Sequence, residues 1–174
     1  MKLTFSLLLL ALTLNFSFAK GELRTASHVD VERYLGKWYT ISSLPQFFTR
    51  KCVAQTADYD LINAQTISVL NTCIKANGST TTINGQAVIV NAQTNAELEV
   101  TFNSFWTRLF RVKGDYTIVK LDPEYQYVLV ASKNRKSMWI LSRTKTMPES
   151  IYNEYVAEAK SQGFAVEKLE FSKF

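Results

Sequence analysis

The chain has few side chains that could act as nucleophiles or zinc ligands: one histidine, His28, and two cysteines, Cys52 and Cys73. With a single histidine no Ser-His-Asp set is available, and two cysteines with one histidine make a poor zinc site. The sequence has no Gly-rich phosphate loop and no nucleotide motif. We therefore expect no metal, no cofactor and no nucleic-acid partner, and His28 is most simply a solvated loop residue.

Oxidation is the chemistry that remains for the cysteines, and it depends on export. Met1-Lys2 is followed by the apolar run Leu7 to Leu12 and by a small-x-small cleavage site ending at Ala19, which predicts a signal peptide over residues 1–19 and one mature domain over residues 20–174. The apolar run is shorter than the roughly 20 residues of a membrane span, and no cysteine adjoins the cleavage site, so a membrane anchor and a lipoprotein are both disfavoured. Removal of the leader lowers the formal net charge from +5 to +4, because it contains one lysine and no acid.

An oxidising compartment favours a disulfide between the two cysteines. Two strands over the stretches CVAQTADYD and QTISVLNTC, joined by a turn over 61–64, would pair Asp60 with Gln65. That register sets Cys52 opposite Cys73, where the Cα atoms are about 4.5 to 5.5 Å apart, within the range of a disulfide. Two free thiols are the alternative.

Short segments of β-branched and aromatic residues, separated by Asn-Ala, Asn-Gly and Asp-Pro turns, fill most of the chain. The alternation is clearest in ELEVTF, where Leu98, Val100 and Phe102 share one face. The segments predict eight strands, over 37–43, 51–60, 66–75, 80–90, 96–102, 115–121, 125–132 and 137–143.

One helix is predicted near the C-terminus, over residues 146–162. Thr146 and Glu149 have the spacing of a capping box, Ile151 opens an apolar stripe, and Gly163 is a natural stop. Eight antiparallel strands with mostly short links indicate an all-β, eight-stranded up-and-down barrel with this helix packed outside. A barrel of that size can hold one small ligand.

Three motifs carry a resemblance to a known family. RYLGKWY, LDPEYQYVLV and WILSRT resemble the three signatures of the lipocalins, over nearly the whole mature chain, with bacterial lipocalins and apolipoprotein D as the most similar members. The resemblance implies a structural set that closes one end of the barrel: Gly36, Trp38, Asp122 and Arg143. In this set the Arg143 guanidinium lies over the Trp38 indole.

The resemblance to apolipoprotein D also implies which side chains face the ligand. Four positions match inward-facing residues of apolipoprotein D: Tyr59, Phe102, Tyr116 and Trp139. Leu141 lies two residues after Trp139 in the same strand, so it is expected to face inward as well. Ordinary core packing is the alternative for each, since a filled barrel and a hollow one show the same alternation.

The loops at the opposite, open end are rich in basic residues without an intervening acid. A cationic mouth of this kind predicts an anionic lipid, a fatty acid or lysophospholipid, with its chain in the barrel. The basic residues are Arg50, Lys51, Lys75, Arg108, Arg111, Lys113, Lys133, Arg135 and Lys136. Aromatic and apolar residues stand among these basic residues: Phe47, Phe48, Phe105, Trp106, Leu109 and Phe110. They could contact a membrane or a second copy of the protein, so a monomer and a homodimer both fit.

Two other classes compete with a binding protein. Some lipocalins are enzymes that act on lipids or isoprenoids, but both thiols here are expected to be joined, in a disulfide on the outside of the barrel, so a binder is favoured. An outer-membrane β-barrel is disfavoured because the amphipathic helix needs a barrel wall to pack on. The expected location is the periplasm or the outside of the cell, with association with the outer membrane left open.

Overall fold

The computed structural model describes residues 21–102 and 113–174. The predicted leader, residues 1–19, lies outside the described residues, as does the predicted rim segment with Phe105, Trp106, Arg108, Leu109, Phe110 and Arg111.

Nine antiparallel strands of the described part of the chain form one sheet that closes on itself. Each strand pairs with the next along the chain from β2 to β8, β8 pairs with β1, and β1 pairs with β2 to complete the circle. The predicted eight-stranded up-and-down barrel is confirmed, and β9 adds a short edge beside β1. The strands are β1 (Gly36–Ser43), β2 (Cys52–Asn63), β3 (Thr66–Lys75), β4 (Thr80–Ile89), β5 (Glu97–Phe102), β6 (Lys113–Leu121), β7 (Tyr127–Ala131), β8 (Met138–Ser142) and β9 (Glu170–Phe171).

Within residues 21–102 and 113–174, two α-helices and one 3-10 helix accompany the barrel. The four-residue α1 (Val31–Tyr34) precedes β1, α2 (Glu149–Ser161) follows β8, and the 3-10 helix (Val166–Lys168) leads into β9. Only α2 was predicted. The periodicity of the other two helices is too short to be read in the sequence. Among the described residues, no helix is long and apolar enough to cross a membrane.

The predicted capping box at the start of α2 is wrong. Pro148 occupies the N-cap position without a side-chain cap, so the helix begins three residues later than predicted. The carbonyl of Thr146 instead accepts hydrogen bonds from the hydroxyls of Ser142 and Thr144. At the other end Gly163 has a φ of 84°, as expected for a helix stop.

The predicted register of β2 with β3 is also wrong, by three residues in the pairing. Asp60 lies opposite Ser68, and Cys73 lies opposite Gln55. The turn is tighter than predicted because the Asn63 side chain accepts a hydrogen bond from the Gln65 amide.

The disulfide itself is confirmed, with an S–S distance of 2.03 Å and Cα atoms 5.2 Å apart for Cys52 and Cys73. A bulge between Cys52 and Ala54 brings the two together despite the changed register. The bulge also turns the Cys52 side chain to the face of β2 opposite to the one that a regular strand would give it. By the period of two, Cys73 shares a face with Val69 of the inner core, so the bridge lies on the inner wall and not, as predicted, on the outside.

The barrel has two apolar clusters, one on each side of its wall. The inner cluster includes Trp38, Val69 and Leu98. The outer one joins wall residues such as Ile140 to Tyr155 of α2, which packs outside the barrel as predicted. The wall is therefore buried on both faces along β7 and β8, which anchors the two strands that carry the closed end.

Candidate ligand-binding site in the barrel

One end of the barrel is closed by an indole and a guanidinium. Trp38 is fully buried, and its Nε1 donates to the carbonyl of Tyr34 in α1 at 2.9 Å. The guanidinium carbon of Arg143 lies 3.8 Å from the centre of the indole. The indole thus ties α1 to β1, and the arginine covers its outer side.

Arg143 also holds α1, β1 and the turn between β6 and β7 together. Its nitrogens donate to the carbonyls of Arg33, Lys37 and Tyr125 at 2.8 to 3.2 Å. Gly36 begins β1 beneath it with a φ of 87°, a conformation that side chains disfavour. This explains why a glycine opens the strand just before the tryptophan.

The turn between β6 and β7 is built around Asp122. Its carboxylate accepts from the amides of Glu124 and Gln126, both at 3.1 Å. Tyr125, with a φ of 58°, turns its hydroxyl to the amide of Asp30 at the start of α1. The turn therefore fastens α1 over the end of the barrel.

All five side chains predicted to face inward belong to the inner cluster or pack against it: Tyr59, Phe102, Tyr116, Trp139 and Leu141. Phe102 lies opposite Gly85, where a Cβ would come within 2.9 Å of its ring. Only a glycine leaves space for that ring on the inner wall. Contact between these residues and a ligand stays a prediction.

The inner wall changes from filled to accessible along the barrel axis. Near the closed end, Trp38, Val69 and Leu98 are buried. Towards the open end, Trp139 is partly exposed, and Ile83, on the same face as Gly85, is 38% exposed. Solvent therefore reaches inward-facing side chains at the end of the barrel opposite α1, which is its open end.

Three phenol hydroxyls meet inside the barrel, near its closed end. The hydroxyl oxygen of Tyr116 lies 2.6 Å from that of Tyr34 and 3.2 Å from that of Tyr59. We call Tyr34, Tyr59 and Tyr116 the tyrosine cluster. The sequence analysis missed Tyr34, because it stands in the short α1, and no signal in the sequence brings α1 into the barrel.

The tyrosine cluster is neutral at ordinary pH. Burial raises the pKa of all three phenols, that of Tyr59 to about 12. The cluster can therefore donate and accept hydrogen bonds, and it carries no charge that would repel or attract an ion.

These raised pKa values predict a loss of stability in alkali. In the unfolded chain a phenol ionises near pH 10, so between about pH 10 and 12 the unfolded state releases protons that the folded state keeps, and the free energy of unfolding falls as the pH rises. Urea unfolding at about pH 9 and pH 11 measures this loss. Tyr59→Phe should show a smaller loss than the wild type, and equal losses in the two proteins would contradict the assignment to the cluster.

Several predicted rim cations are already paired. Lys113 binds Glu99 at 2.6 Å, and Lys133 binds Glu97, whose pKa this hydrogen bond holds below the ordinary value. Arg135 donates to the carbonyls of Gly21 and Gln162 on the outside of the barrel, at 2.6 Å each. The open end therefore has less positive charge than the loop sequences predict, because β5 supplies glutamates that pair with the lysines of the loops.

The remaining described rim residues lie mainly in the loop between β1 and β2. Phe47 and Phe48 are 78% and 72% exposed, and the Arg50 guanidinium lies 4.3 Å from the ring centre of Phe47. Arg50, Lys51 and Lys75 make no salt bridge with any other residue that the structure describes, nor does Lys136. These four side chains form the available rim cations.

Comparison with known proteins agrees with this geometry. A family model described as a lipocalin-like domain matches residues 29–173. The chain belongs to the lipocalin family. The resemblance to bacterial lipocalins and apolipoprotein D is confirmed by relatives of both kinds.

Individual relatives cover most of this lipocalin. Temperature-induced lipocalin-1 of Arabidopsis thaliana is 37% identical over 153 residues, which is 86% of this chain and 82% of the relative. Outer membrane lipoprotein Blc of Vibrio cholerae is 32% identical and covers 94% of both chains. Apolipoprotein D of Bos taurus is 31% identical over 80% of this chain and 74% of its own length.

Solved structures show the same fold at lower identity. Insecticyanin from the tobacco hornworm Manduca sexta superposes with a TM-score of 0.69 at 15% identity, over 90% of this lipocalin and 86% of the insecticyanin chain. At that identity the likeness concerns the fold alone. Within residues 21–102 and 113–174, no group of three or more histidine, cysteine, aspartate or glutamate side chains could hold a metal ion.

Proposed function

We propose that this lipocalin is exported and binds a fatty acid or a lysophospholipid, with the acyl chain in the barrel and the anionic group at the available rim cations. The single observation that carries the proposal is the inner wall that is filled at the closed end and accessible towards the open end. An apolar wall with one opening fits a long chain that enters by its apolar end. Phe102, Trp139 and Leu141 are the side chains that we expect to line it.

The charge around the opening supports an anionic headgroup. Arg50, Lys51 and Lys75 flank the first and second open-end loops, and they keep their charge unpaired among the described residues. Arg108 and Arg111, whose loop is the third at that end, would add to them. Exposed cations of this kind attract an anion over a distance of about 10 Å at moderate salt.

Export is supported by two independent features. The formed disulfide fits an oxidising compartment, and the relatives include proteins named outer membrane lipoproteins. Location in the periplasm, outside the cell or at the outer membrane, as a monomer or a homodimer, is part of the proposal. Exposed Phe47 and Phe48 would be the first residues to contact a membrane.

The proposed activity is binding and not catalysis. Both thiols are joined in the disulfide, and His28 is exposed on the surface. Turnover assays with candidate lipids and isoprenoids test the alternative of a lipocalin-fold enzyme, and any turnover above background would support it.

Charge reversal at the rim tests the proposed headgroup contact. The double variant Arg50→Glu with Lys51→Glu should bind a fluorescent fatty acid about tenfold more weakly than the wild type at low salt, because two attractions of roughly 0.2 to 1 kcal/mol become repulsions. Arg108→Glu with Arg111→Glu should behave alike, and raised salt should narrow each difference. Fluorescence titration measures the affinities.

A control double variant has the same change in net charge far from the opening. Lys160→Glu with Lys168→Glu alters exposed residues beside α2 and should leave the affinity unchanged. Equal affinities for the wild type and both rim variants at low salt would refute the cationic mouth. Absence of binding to the wild type would refute the proposed function as a whole.

A further inference from the structure

The tyrosine cluster has one hydrogen-bond donor more than it uses. Three hydroxyls carry three O–H donors, and the cluster contains two hydrogen bonds, Tyr34 with Tyr116 and Tyr59 with Tyr116. Within residues 21–102 and 113–174, these are the hydrogen bonds that the three hydroxyls make. Whichever way the two bonds run, one O–H has no acceptor among the residues that the structure describes, and a buried donor without an acceptor is unfavourable.

When Tyr34 and Tyr59 both donate to Tyr116, the unused donor is the hydroxyl of Tyr116, which packs against the inner cluster. Tyr34 and Tyr59 are buried, whereas Tyr116 is enclosed by protein and still keeps part of its surface accessible. Tyr116 pairs with Leu98 of the inner cluster, so its side chain lies on the inner face of the wall, on the side where a ligand in the barrel would lie. A ligand that fills the barrel would therefore end against this hydroxyl.

The cluster lies far from the rim. Along β2 the path from Cys52, near the opening, to Tyr59 is about 23 Å at the usual rise per residue. The usual strand tilt in barrels reduces this to about 18 Å along the axis. A headgroup at the rim and a hydrogen bond at the cluster must therefore come from opposite ends of one long ligand.

We propose that the tyrosine cluster is a second polar subsite, which binds a hydroxyl or keto oxygen at the far end of an acyl chain, so that the preferred ligands are fatty acids oxygenated remote from their carboxylate. A keto oxygen accepts the unused O–H, and a hydroxyl can both accept and donate. The proposal rests on the proposed function, since it needs the chain to lie in the barrel. A plain methyl end would leave the phenol donor unpaired.

The far-end group must be neutral, because the cluster offers no free cation. Arg143 is the positive charge near Tyr34. Its nitrogens donate to three backbone carbonyls, and it covers the outer side of the Trp38 ring. A carboxylate at the cluster would be buried without a partner of opposite charge, which is costly. The two ends of the barrel thus select different chemistry.

Matched ligands that differ at the chain end test the proposal. Hexadecanoate and 16-hydroxyhexadecanoate are titrated against the wild type, Tyr116→Phe and, as a control, Tyr155→Phe. The control removes a phenol hydroxyl that bonds to the Tyr127 carbonyl on the outer wall. We expect Tyr116→Phe to weaken binding of the hydroxy acid about tenfold relative to hexadecanoate, because the buried ligand hydroxyl loses its partner. The wild type and Tyr155→Phe should keep the same ratio of affinities.

A spectroscopic measurement gives a second result that does not depend on the variant. The keto band of bound 15-oxohexadecanoate should lie at lower frequency than in an alkane solvent, as for a carbonyl that accepts a hydrogen bond. An unshifted band in the wild type, or an unchanged affinity ratio in a folded Tyr116→Phe, would overturn the subsite while leaving the proposed function intact. If the wild type binds neither acid, the proposed function itself fails.

Discussion

Replacement of Trp38 by alanine is expected to lower the free energy of unfolding by about 3 to 5 kcal/mol, the usual range for a large buried aromatic side chain. The indole is fully buried, and its Nε1 holds the carbonyl of Tyr34. Its loss would also leave Arg143 without the ring that it covers. Urea unfolding of the wild type and the variant measures the difference.

Trp139→Ala is the matched control for that variant. Trp139 is also an inward-facing tryptophan, but its side chain is partly exposed and lies nearer the opening than Trp38. We expect a smaller loss of stability and a larger change in ligand affinity than for Trp38→Ala. A stable Trp38→Ala protein with an altered ligand preference would contradict this division between a structural and a binding tryptophan.

Removal of the disulfide should have the second largest effect on stability. Cys52 and Cys73 are separated by 21 positions in sequence, and a closed loop of that size restricts the unfolded chain by about 3 kcal/mol. The double variant Cys52→Ala with Cys73→Ala should therefore unfold at a lower urea concentration. The bridge also fixes the bulged start of β2 against β3, next to the opening.

Reduction distinguishes loss of the cross-link from loss of the side chains. A reductant should lower the stability of the wild type towards that of the double variant and leave the double variant unchanged. Thiol titration of the denatured, unreduced protein should detect no free thiol. Two free thiols, or a wild type whose stability is unchanged after complete reduction, would refute the prediction.

The sequence by itself determined the fold class and most of the wall. Alternation of apolar residues identifies strands because successive side chains face opposite sides, and the prediction of eight strands, closure into a barrel and one outer helix is confirmed. The pairing of Cys52 with Cys73 is confirmed as well, although the predicted register was wrong. Local patterns are sufficient for this because apolar alternation marks which residues of a strand share the buried face before any strand pairing is known.

Only the tertiary structure decided which side chains meet. A single bulge at the start of β2 moves Cys52 to the inner wall, and ion pairs from β5 remove Lys113 and Lys133 from the available rim cations. The tyrosine cluster joins Tyr34, from a four-residue helix, to two separate strands. Contacts of this kind depend on closure of the barrel and on shifts of one or two residues, and the two-residue alternation of a sequence contains no information about them.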